Sequence, residues 1–422
     1  MRGVWNTMLL LGGIKVDKIM ETRLLNFNQL HDSARKCMHN VTKKDSVRRF
    51  ILNEEICVLN MCEEIENGTW KHSVPKPVEI YYPKRRTALS TKYRDRVYQK
   101  CINDNGLYPE VSKHFVITNV ASQKGKGTDF AISYVKRYLR SFISRYGVNG
   151  YVIQFDIHKY FNNIRHSDVD KCFKRYTDAE TYERTIDVLT HQYSGSIGYK
   201  PGSQMVQVAG LTVMNDTDHM IKEKIYVKYY IRYNDDLLIF CPRYDLAVEW
   251  FKQISEQIHN LGLELNDKKC RIGKLQSGFR FLGFDYHISN SGKIYMTIDP
   301  ENVKHERKKL RRMVHNVYKG VIAKDEVYEQ IRAWEAHARK GNTYHVIKRT
   351  RKYLEQLWES EKNVIYTSKS DTVTTGGQRI CKPFGTEIEP ADYYSEFADS
   401  IYCRTKRYRN SRRIKRRGDT SV

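Results

Sequence analysis

Two adjacent carboxylates, Asp235 and Asp236, are the side chains of this sequence best suited to metal chemistry. They lie within YYIRYNDDLLIF, residues 229–240, between aromatic, leucine and β-branched residues. Such flanks favour strands and Asn-Asp-Asp favours a turn, so the segment predicts a β-hairpin with acids at its tip. Carboxylates fixed at a tip could bind Mg²⁺, a hard cation that takes oxygen ligands. Taken alone, the pair is more typical of an ordinary solvated turn.

A further acid, Asp156, follows a strand-like segment. In YVIQFD, residues 151–156, aromatic and aliphatic residues alternate with a period of two, which predicts a strand that ends on the acid. Two-metal phosphoryl transfer needs acids from separate places in the chain, because they hold ions roughly 3.5–4 Å apart. Asp156 could complete such a site with Asp235 and Asp236, and the alternative is an ordinary strand end.

The order of several segments resembles that of reverse transcriptases. FDIHKYFNNI (155–164) resembles motif A of that family, and YNDD (233–236) resembles motif C. The other segments with this resemblance are the fingers segment at 79–102, a GKGT-containing segment at 115–140, motif B at 198–219, motif D at 261–275 and motif E at 278–286. Seven segments occur in the order that the family has. If the resemblance were accidental, each segment would need its own explanation, and all seven explanations would have to hold at once.

This resemblance implies an α+β fold with the right-hand architecture of polymerases: fingers, a palm with an antiparallel sheet and helices, and a helical thumb. Residues 20–145 would form N-terminal helices and fingers, 146–290 the palm with motifs A to E, 295–362 the thumb, and 363–422 a basic C-terminal extension. Asp299-Pro300 predicts the start of the first thumb helix, because proline is favoured at the first helical position.

The resemblance also implies roles in catalysis. Asp156 and Asp235 would be the main ligands of two Mg²⁺ ions, for which Mn²⁺ is a possible substitute, and Asp236 would support them. The backbone carbonyl of Ile157 would complete one coordination shell. Lys269 matches a motif D lysine that protonates pyrophosphate, with the neighbouring Lys268 as the alternative. The protein's task would be mainly positioning and charge neutralisation.

Other residues would contact the incoming nucleotide. Phe161 matches an aromatic steric gate that excludes the 2′-hydroxyl of ribonucleotides, and the alternative is an ordinary core phenylalanine. Lys84, Arg85 and Arg86 match the basic grip on the triphosphate, where Arg86 aligns best, since arginine presents a planar fork to phosphate oxygens. Without the resemblance, this basic run would be a solvated surface.

Motif B supplies two more candidates for nucleotide binding. Gly202 suggests a backbone that closely approaches the nucleotide, because glycine permits unusual dihedral angles. Gln207 matches the motif B glutamine of the family. Gly210-Leu211 stands where Ala-Asn is usual, which leaves the finer contacts of this motif open.

The composition of the chain indicates which class of partner it binds. A formal charge of +24 over 422 residues fits a nucleic-acid partner, with salt-dependent binding. No amphipathic or lipid-anchoring element points to a membrane. The nine cysteines include no C-x-x-C pair, so they predict reduced thiols in the cytoplasm rather than a zinc site. The oligomeric state is not indicated.

The segment RTKRYRNSRRIKRR, residues 404–417, carries nine basic residues in fourteen. It is either a disordered solubilising tail or an RNA-binding tail that orders on its partner. On the second interpretation, the nucleic-acid-binding residues are Arg404, Lys406, Arg407, Arg409, Arg412, Arg413, Lys415, Arg416 and Arg417.

We therefore expect an RNA-directed DNA polymerase that copies an RNA template, a structured noncoding RNA encoded nearby, into cDNA. We find no Cys/His-rich endonuclease segment or ribonuclease H acid set after the thumb, which disfavours a self-mobilising retroelement enzyme. By family analogy, the C-terminal segment at 363–422 favours the stand-alone bacterial enzymes of antiphage defence, which are related to diversity-generating retroelement and group II intron-like enzymes. The alternative is a diversity-generating retroelement enzyme. An RNA polymerase is disfavoured by Phe161. A catalytically inactive RNA-binding protein is disfavoured because all three acids are present.

Overall fold

A computed structural model of the chain describes residues 23–370, apart from 40, 43 and 82–84, with side chains through residue 361. This part consists of helices and of three antiparallel sheets, which confirms the predicted α+β class. Lys84 and the basic segment 404–417 lie outside the described residues. Within them, no helix combines the length and the apolar character that crossing a bilayer requires.

The first part of the described chain is mainly helical and carries one hairpin. Strands β1 (Lys76–Ile80) and β2 (Arg86–Ser90) pair in antiparallel register. A π-helical turn, Asn103–Leu107, joins two of the helices. The helices are α1 (Phe27–Met38), α2 (Asp45–Leu52), α3 (Glu54–Glu66), α4 (Tyr93–Ile102), α5 (Tyr108–Ser112) and α6 (Thr128–Tyr146).

The second sheet positions the predicted acids. Its strands are β3 (Tyr151–Asp156), β4 (Tyr230–Tyr233), β5 (Asp236–Cys241) and β6 (Arg271–Lys274), in the order β4-β5-β3-β6. The strand that ends on Asp156 and the hairpin at YNDD are thus confirmed. The helices around it are α7 (Tyr160–Asn163), α8 (His166–Tyr176), α9 (Ala179–Gln192), α10 (Gln204–Val213), α11 (Asn215–His219) and α12 (Tyr244–Asn260).

Both faces of this sheet are covered by apolar side chains. Successive residues of a strand point to opposite faces, so Ile153 and Leu237 join one buried cluster while Val152 and Leu238 join another. Each fully buried aliphatic side chain contributes roughly 1.5–3 kcal/mol. The sheet is therefore firmly packed along its length, and its polar end, which carries the acids, is held on a rigid base.

A third sheet and three helices follow. The sheet comprises β7 (Phe279–Phe281), β8 (Phe284–Ile288) and β9 (Ile294–Ile298), and the helices are α13 (Pro300–Tyr318), α14 (Lys324–Ala338) and α15 (Tyr344–Ser370). The predicted helix start is confirmed, because the Asp299 side chain caps α13 and Pro300 is its first residue. The three helices enclose an apolar cluster of their own, formed by Leu310, Val314, Val327, Ile331, Leu354 and Leu357.

Two elements cross the predicted boundaries. Strand β9 pairs with β8 along its whole length, so the third sheet extends past residue 290 to Ile298. Helix α15 continues past residue 362 to Ser370, because nothing in its polar end interrupts the helical backbone hydrogen bonds. The division into fingers, palm, thumb and extension stays a prediction.

Candidate active site

The three predicted acids meet at one end of the central sheet. Asp156, the last residue of β3, is the direct cross-strand partner of Asp236, the first residue of β5. Asp235 lies in the turn before it, where Asn234 adopts a positive φ of 53° that asparagine tolerates better than most residues. The amide of Ile157 donates to the carbonyl of Asp235 at 3.3 Å and fixes this turn against β3.

The acids repel one another. Burial raises the pKa of Asp235, and the charge of Asp156 adds to this effect. Burial together with the charges of Asp235 and Asp156 raises the pKa of Asp236 to about 7. Close carboxylates in a partly dry site cannot all ionise without nearby positive charge. At neutral pH, the negative charge of the three acids therefore exceeds the positive charge around them.

The segment around residue 266 immobilises Asp156. The side-chain amide of Asn266 donates to Oδ1 of Asp156 at 2.8 Å, and its backbone N–H donates to the Asp156 carbonyl at 2.8 Å. The N–H of Asp156 points at Sγ of Cys270 at 3.3 Å. Sequence reasoning missed Asn266 and Cys270, because no local pattern reports a contact made across more than a hundred residues.

Lys269 supplies a positive charge to the site. Its Nζ lies 2.5 Å from Oδ2 of Asp156. Burial lowers the pKa of Lys269, but its hydrogen bond to Asp156 and the attraction of the carboxylates outweigh burial and raise it. Lys268, the alternative in the sequence, is exposed like Lys269 but forms no ion pair with the three acids. Of the two lysines, the structure thus brings Lys269 to the acids.

Arg86 supplies a second positive charge. It begins strand β2, and its charge acts to lower the pKa of Asp235, against the larger effect of burial. Arg85 is engaged elsewhere: its Nε donates to Oε2 of Glu79 at 2.9 Å, and its guanidinium lies over the Tyr81 ring. Of the two described arginines in the predicted grip, Arg86 is the one whose charge acts on the pKa of Asp235.

Comparisons with known proteins agree with this geometry. Residues 75–286, half of the 422-residue chain, match the family model described as reverse transcriptase (RNA-dependent DNA polymerase). This chain belongs to the reverse transcriptase family. Membership indicates an enzyme, an RNA-directed DNA polymerase that transfers nucleotidyl groups. A search of curated protein sequences found no match.

Solved structures similar to this reverse transcriptase include two yeast telomerases. One is telomerase from Candida albicans in complex with a fragment of telomeric RNA, with a TM-score of 0.41 at 9% identity over 68% of this chain and 61% of that one. Another is an apo telomerase from Candida tropicalis, with a TM-score of 0.37 at 11% identity over 52% and 54%. The chain thus spans less than two thirds of either protein.

The reverse transcriptase holds the loop that resembles motif B against strand β2. The amide of Leu89 donates to the carbonyl of Pro201 at 2.9 Å. Gly202 has a φ of 155°, and a Cβ at this position would overlap the Leu89 carbonyl, so only glycine permits the approach. Gly202 thus allows a close approach to β2, and its predicted approach to the nucleotide stays a prediction. Gln207 lies exposed on α10.

Phe161 lies beside motif B in this reverse transcriptase. Its ring is half-buried, in contact with the apolar core. The neighbouring Tyr160 is buried and donates its hydroxyl to the carbonyl of Gly210 on α10. This geometry fits both interpretations of Phe161. Part of the ring packs inward, as in a core phenylalanine, and part remains accessible, as a steric gate requires.

A buried ion pair supports the turn that carries Asp235. Asp218 on α11 and Arg232 on β4 pair with each other, and both side chains are fully buried. Sequence reasoning missed this pair, although an arginine in the middle of an apolar strand, YYIRY, is a signal that a buried partner exists.

The donor set of this reverse transcriptase suits divalent cations. In the part of the chain that the structure describes, no three His, Cys, Asp or Glu side chains form a ready-made cage. Mg²⁺ is commonly held by one or two carboxylates together with water and substrate phosphates, so such a cage is not required. Crowded carboxylates with raised pKa values, as at Asp235 and Asp236, are a fitting donor set.

Proposed function

We propose that this reverse transcriptase copies RNA into cDNA at a two-metal site formed by Asp156, Asp235 and Asp236. The observation that carries the proposal is the cross-strand pairing of Asp156 with Asp236, beside Asp235 in the adjoining turn. Acids from two separate segments thereby face one end of the sheet, as a two-ion clamp requires. Although the charge of Lys269 lowers the pKa of Asp236, burial and the other two acids raise it to about 7, and this excess of negative charge supports the same assignment.

Asp156 and Asp235 would be the principal ligands, with Asp236 and the carbonyl of Ile157 in support. Bound Mg²⁺, or Mn²⁺ in its place, would neutralise charge on the attacking and leaving oxygens. Asn266 holds one Asp156 oxygen by a hydrogen bond, which fixes the plane of that carboxylate. The protein thus contributes position and electrostatics.

The incoming deoxynucleotide would lie between the acids and β2. Arg86 would bind its triphosphate, with Lys84 and Arg85 as further members of the basic run. Phe161 would lie under the sugar and exclude a 2′-hydroxyl. Lys269, already charged and beside Asp156, would donate a proton to the departing pyrophosphate. Gly202 and Gln207 would face the nascent base pair from motif B.

The template is, in this proposal, a structured noncoding RNA encoded near the gene, and the setting is the cytoplasm of a bacterium under phage attack. The net charge of +24 supports a nucleic-acid partner, and the basic tail at 404–417 would add to its binding. All seven cysteines among the described residues are free thiols. A diversity-generating retroelement enzyme is the alternative, and a variable repeat in the neighbouring DNA would identify it.

The deciding experiment compares the parent with the double variant Asp235→Ala/Asp236→Ala in primer extension with an RNA template, deoxynucleotides and Mg²⁺. We expect cDNA synthesis to fall at least about 10³-fold, while RNA affinity in a filter-binding assay stays within error. Asp245→Ala is the matched control, because it removes an acid that is 72% exposed. Full-rate synthesis by the double variant would contradict the metal assignment.

Two other results would redirect the proposal. A parent protein that binds RNA but incorporates no nucleotide would be an RNA-binding protein. A parent that prefers ribonucleotides would be an RNA polymerase. Sequencing the nucleic acid that copurifies with the protein identifies template, primer and product together. Truncation after Tyr402 tests the tail, whose RNA-binding role is contradicted if affinity and its salt dependence do not change.

A further inference from the structure

The ring of Phe161 occupies the space that a side chain would fill at position 210. A Cβ built on Gly210 would lie 2.7 Å from Cε1 and 3.2 Å from Cζ of that ring. It would also lie 3.3 Å from Cε1 of Tyr160. Carbon atoms do not approach to 2.7 Å in a packed interior, so any side chain at this position must displace the ring.

The helical conformation of α10 does not require a glycine at position 210. Gly210 is one of its buried residues, within a run of apolar side chains. Alanine favours a helix interior more than glycine does, because glycine has more conformational freedom to lose. The feature that glycine alone provides here is the empty volume that receives Phe161.

The backbone beneath the ring is fixed from both sides. The carbonyl of Phe161 accepts a hydrogen bond from the amide of Tyr199 at 2.7 Å. The hydroxyl of Tyr160 is bonded to the Gly210 carbonyl, which fixes motif A to α10. A residue larger than glycine would therefore be accommodated by rotation of the Phe161 side chain away from α10, towards its accessible side.

We propose that Gly210 is a specificity-determining positioning residue that sets the depth of the Phe161 ring and thereby the clearance for the sugar. This inference rests on the proposed function, in which Phe161 excludes the 2′-hydroxyl. A ring pushed away from α10 narrows the space for any sugar, so deoxynucleotides bind less well while ribonucleotides stay excluded. A small displacement of a substrate-contacting group is sufficient for such an effect.

The test is a double-mutant cycle on Gly210→Ala and Phe161→Ala, read out as KM and kcat for a deoxynucleotide and its ribonucleotide. We expect Gly210→Ala to raise the deoxynucleotide KM by about tenfold, with a smaller change in kcat. Phe161→Ala should relax sugar discrimination. In the Phe161→Ala background, Gly210→Ala should change KM less than about twofold, because the ring is gone.

Gly273→Ala in β6 is the matched control. A Cβ there meets only Cγ1 of Val152, at an ordinary 3.8 Å, so kinetics should match the parent. If Gly210→Ala is too unstable for kinetics, its melting temperature is measured instead, and the double variant with Phe161→Ala should melt at a higher temperature than Gly210→Ala alone.

Three results would overturn the inference: an unchanged KM in Gly210→Ala, equal effects in both backgrounds, or no restored stability in the double variant. A parent that incorporates no nucleotide overturns both this inference and the proposed function. An active parent without coupling between the two positions overturns the inference alone.

Discussion

Arg232 and Asp218 form a bidentate ion pair beside the turn that carries Asn234 and Asp235. Nη2 and Nε of Arg232 lie 2.6 and 2.8 Å from the two carboxylate oxygens of Asp218. The remaining nitrogen, Nη1, donates to the carbonyl of Asn234 at 3.1 Å. The hydroxyl of Tyr230 donates to the same carboxylate, so every charge in the group is paired. The pair therefore ties α11 to the turn that presents Asp235.

Arg232→Met should strongly destabilise the protein. It leaves the Asp218 charge buried and unpaired, which costs about 3–5 kcal/mol. Chemical denaturation of the metal-free protein measures this loss in the free energy of unfolding. Asp218→Asn in the same chain should recover part of it, since the buried charge is then removed. Arg175→Met is the control: its partner is Asp216 and both side chains are more than half exposed, so about 1 kcal/mol or less is expected. Equal losses in both arginine variants would contradict the role given to Arg232.

Lys269→Met should slow the chemical step while Lys268→Met should not. Both lysines are exposed, but Lys269 contacts Asp156 at 2.5 Å, whereas Lys268 forms no ion pair with the three acids. A positioned proton donor contributes at least about 10²-fold, so we expect a loss of that order in single-turnover rate. Loss of the lysine that does not contact the acids should change the rate by less than about twofold. Equal rates in the two variants would remove Lys269 from the proposed mechanism.

Arg86→Ala should weaken deoxynucleotide binding far more than Arg85→Ala. A charge-assisted hydrogen bond to phosphate contributes about 1.5–3 kcal/mol, which corresponds to a KM rise of about 10- to 100-fold for Arg86→Ala. Arg85 already pairs with Glu79 at the surface, so its removal should change KM less than about threefold. Steady-state kinetics with varied deoxynucleotide distinguishes the two. The opposite ranking would assign the triphosphate to Arg85.

Local sequence patterns predicted the elements that carry the acids. The strand that ends on Asp156 and the hairpin around Asn234 follow from alternation and turn chemistry, which act within a few residues. The start of α13 at Pro300 follows from its cap in the same way. The structure confirms these elements. They could be predicted because interactions between residues close in sequence determine them.

Contacts between distant segments could not be predicted in this way. Asn266 and Lys269 hold Asp156 from 110 and 113 residues further along the chain. The space for Phe161 at Gly210 likewise depends on how two segments pack, which neither segment encodes alone. Sequence patterns indicate which residue types could act, and packing decides which of them meet.

The surroundings of His219 predict that this residue stabilises the protein in a pH-dependent way. Its two ring nitrogens face acceptors: Oε1 of Glu223 at 2.6 Å and the carbonyl of His114 at 2.8 Å. Burial lowers the pKa of His219, but its bonds to His114 and Glu223, with the charges of Glu223 and Asp218, outweigh burial and raise it. The protonated ring can donate to both acceptors, whereas the neutral ring can donate to one.

The direction of this pH dependence follows from the difference between the pKa of His219 in the folded and the unfolded protein. Because the folded pKa lies above the ordinary 6.5, the stabilisation is fully present below pH 6.5 and is lost as pH rises through the folded value. The parent should therefore melt above His219→Gln at pH 6, and the gap should shrink as pH rises past neutrality. Glu223→Gln should show a smaller gap between acid and alkaline pH, because it removes the carboxylate that favours the charged ring. A gap between parent and His219→Gln that stays constant from pH 6 to 9 would contradict this account, since a ring that packs without gaining a proton stabilises equally at every pH.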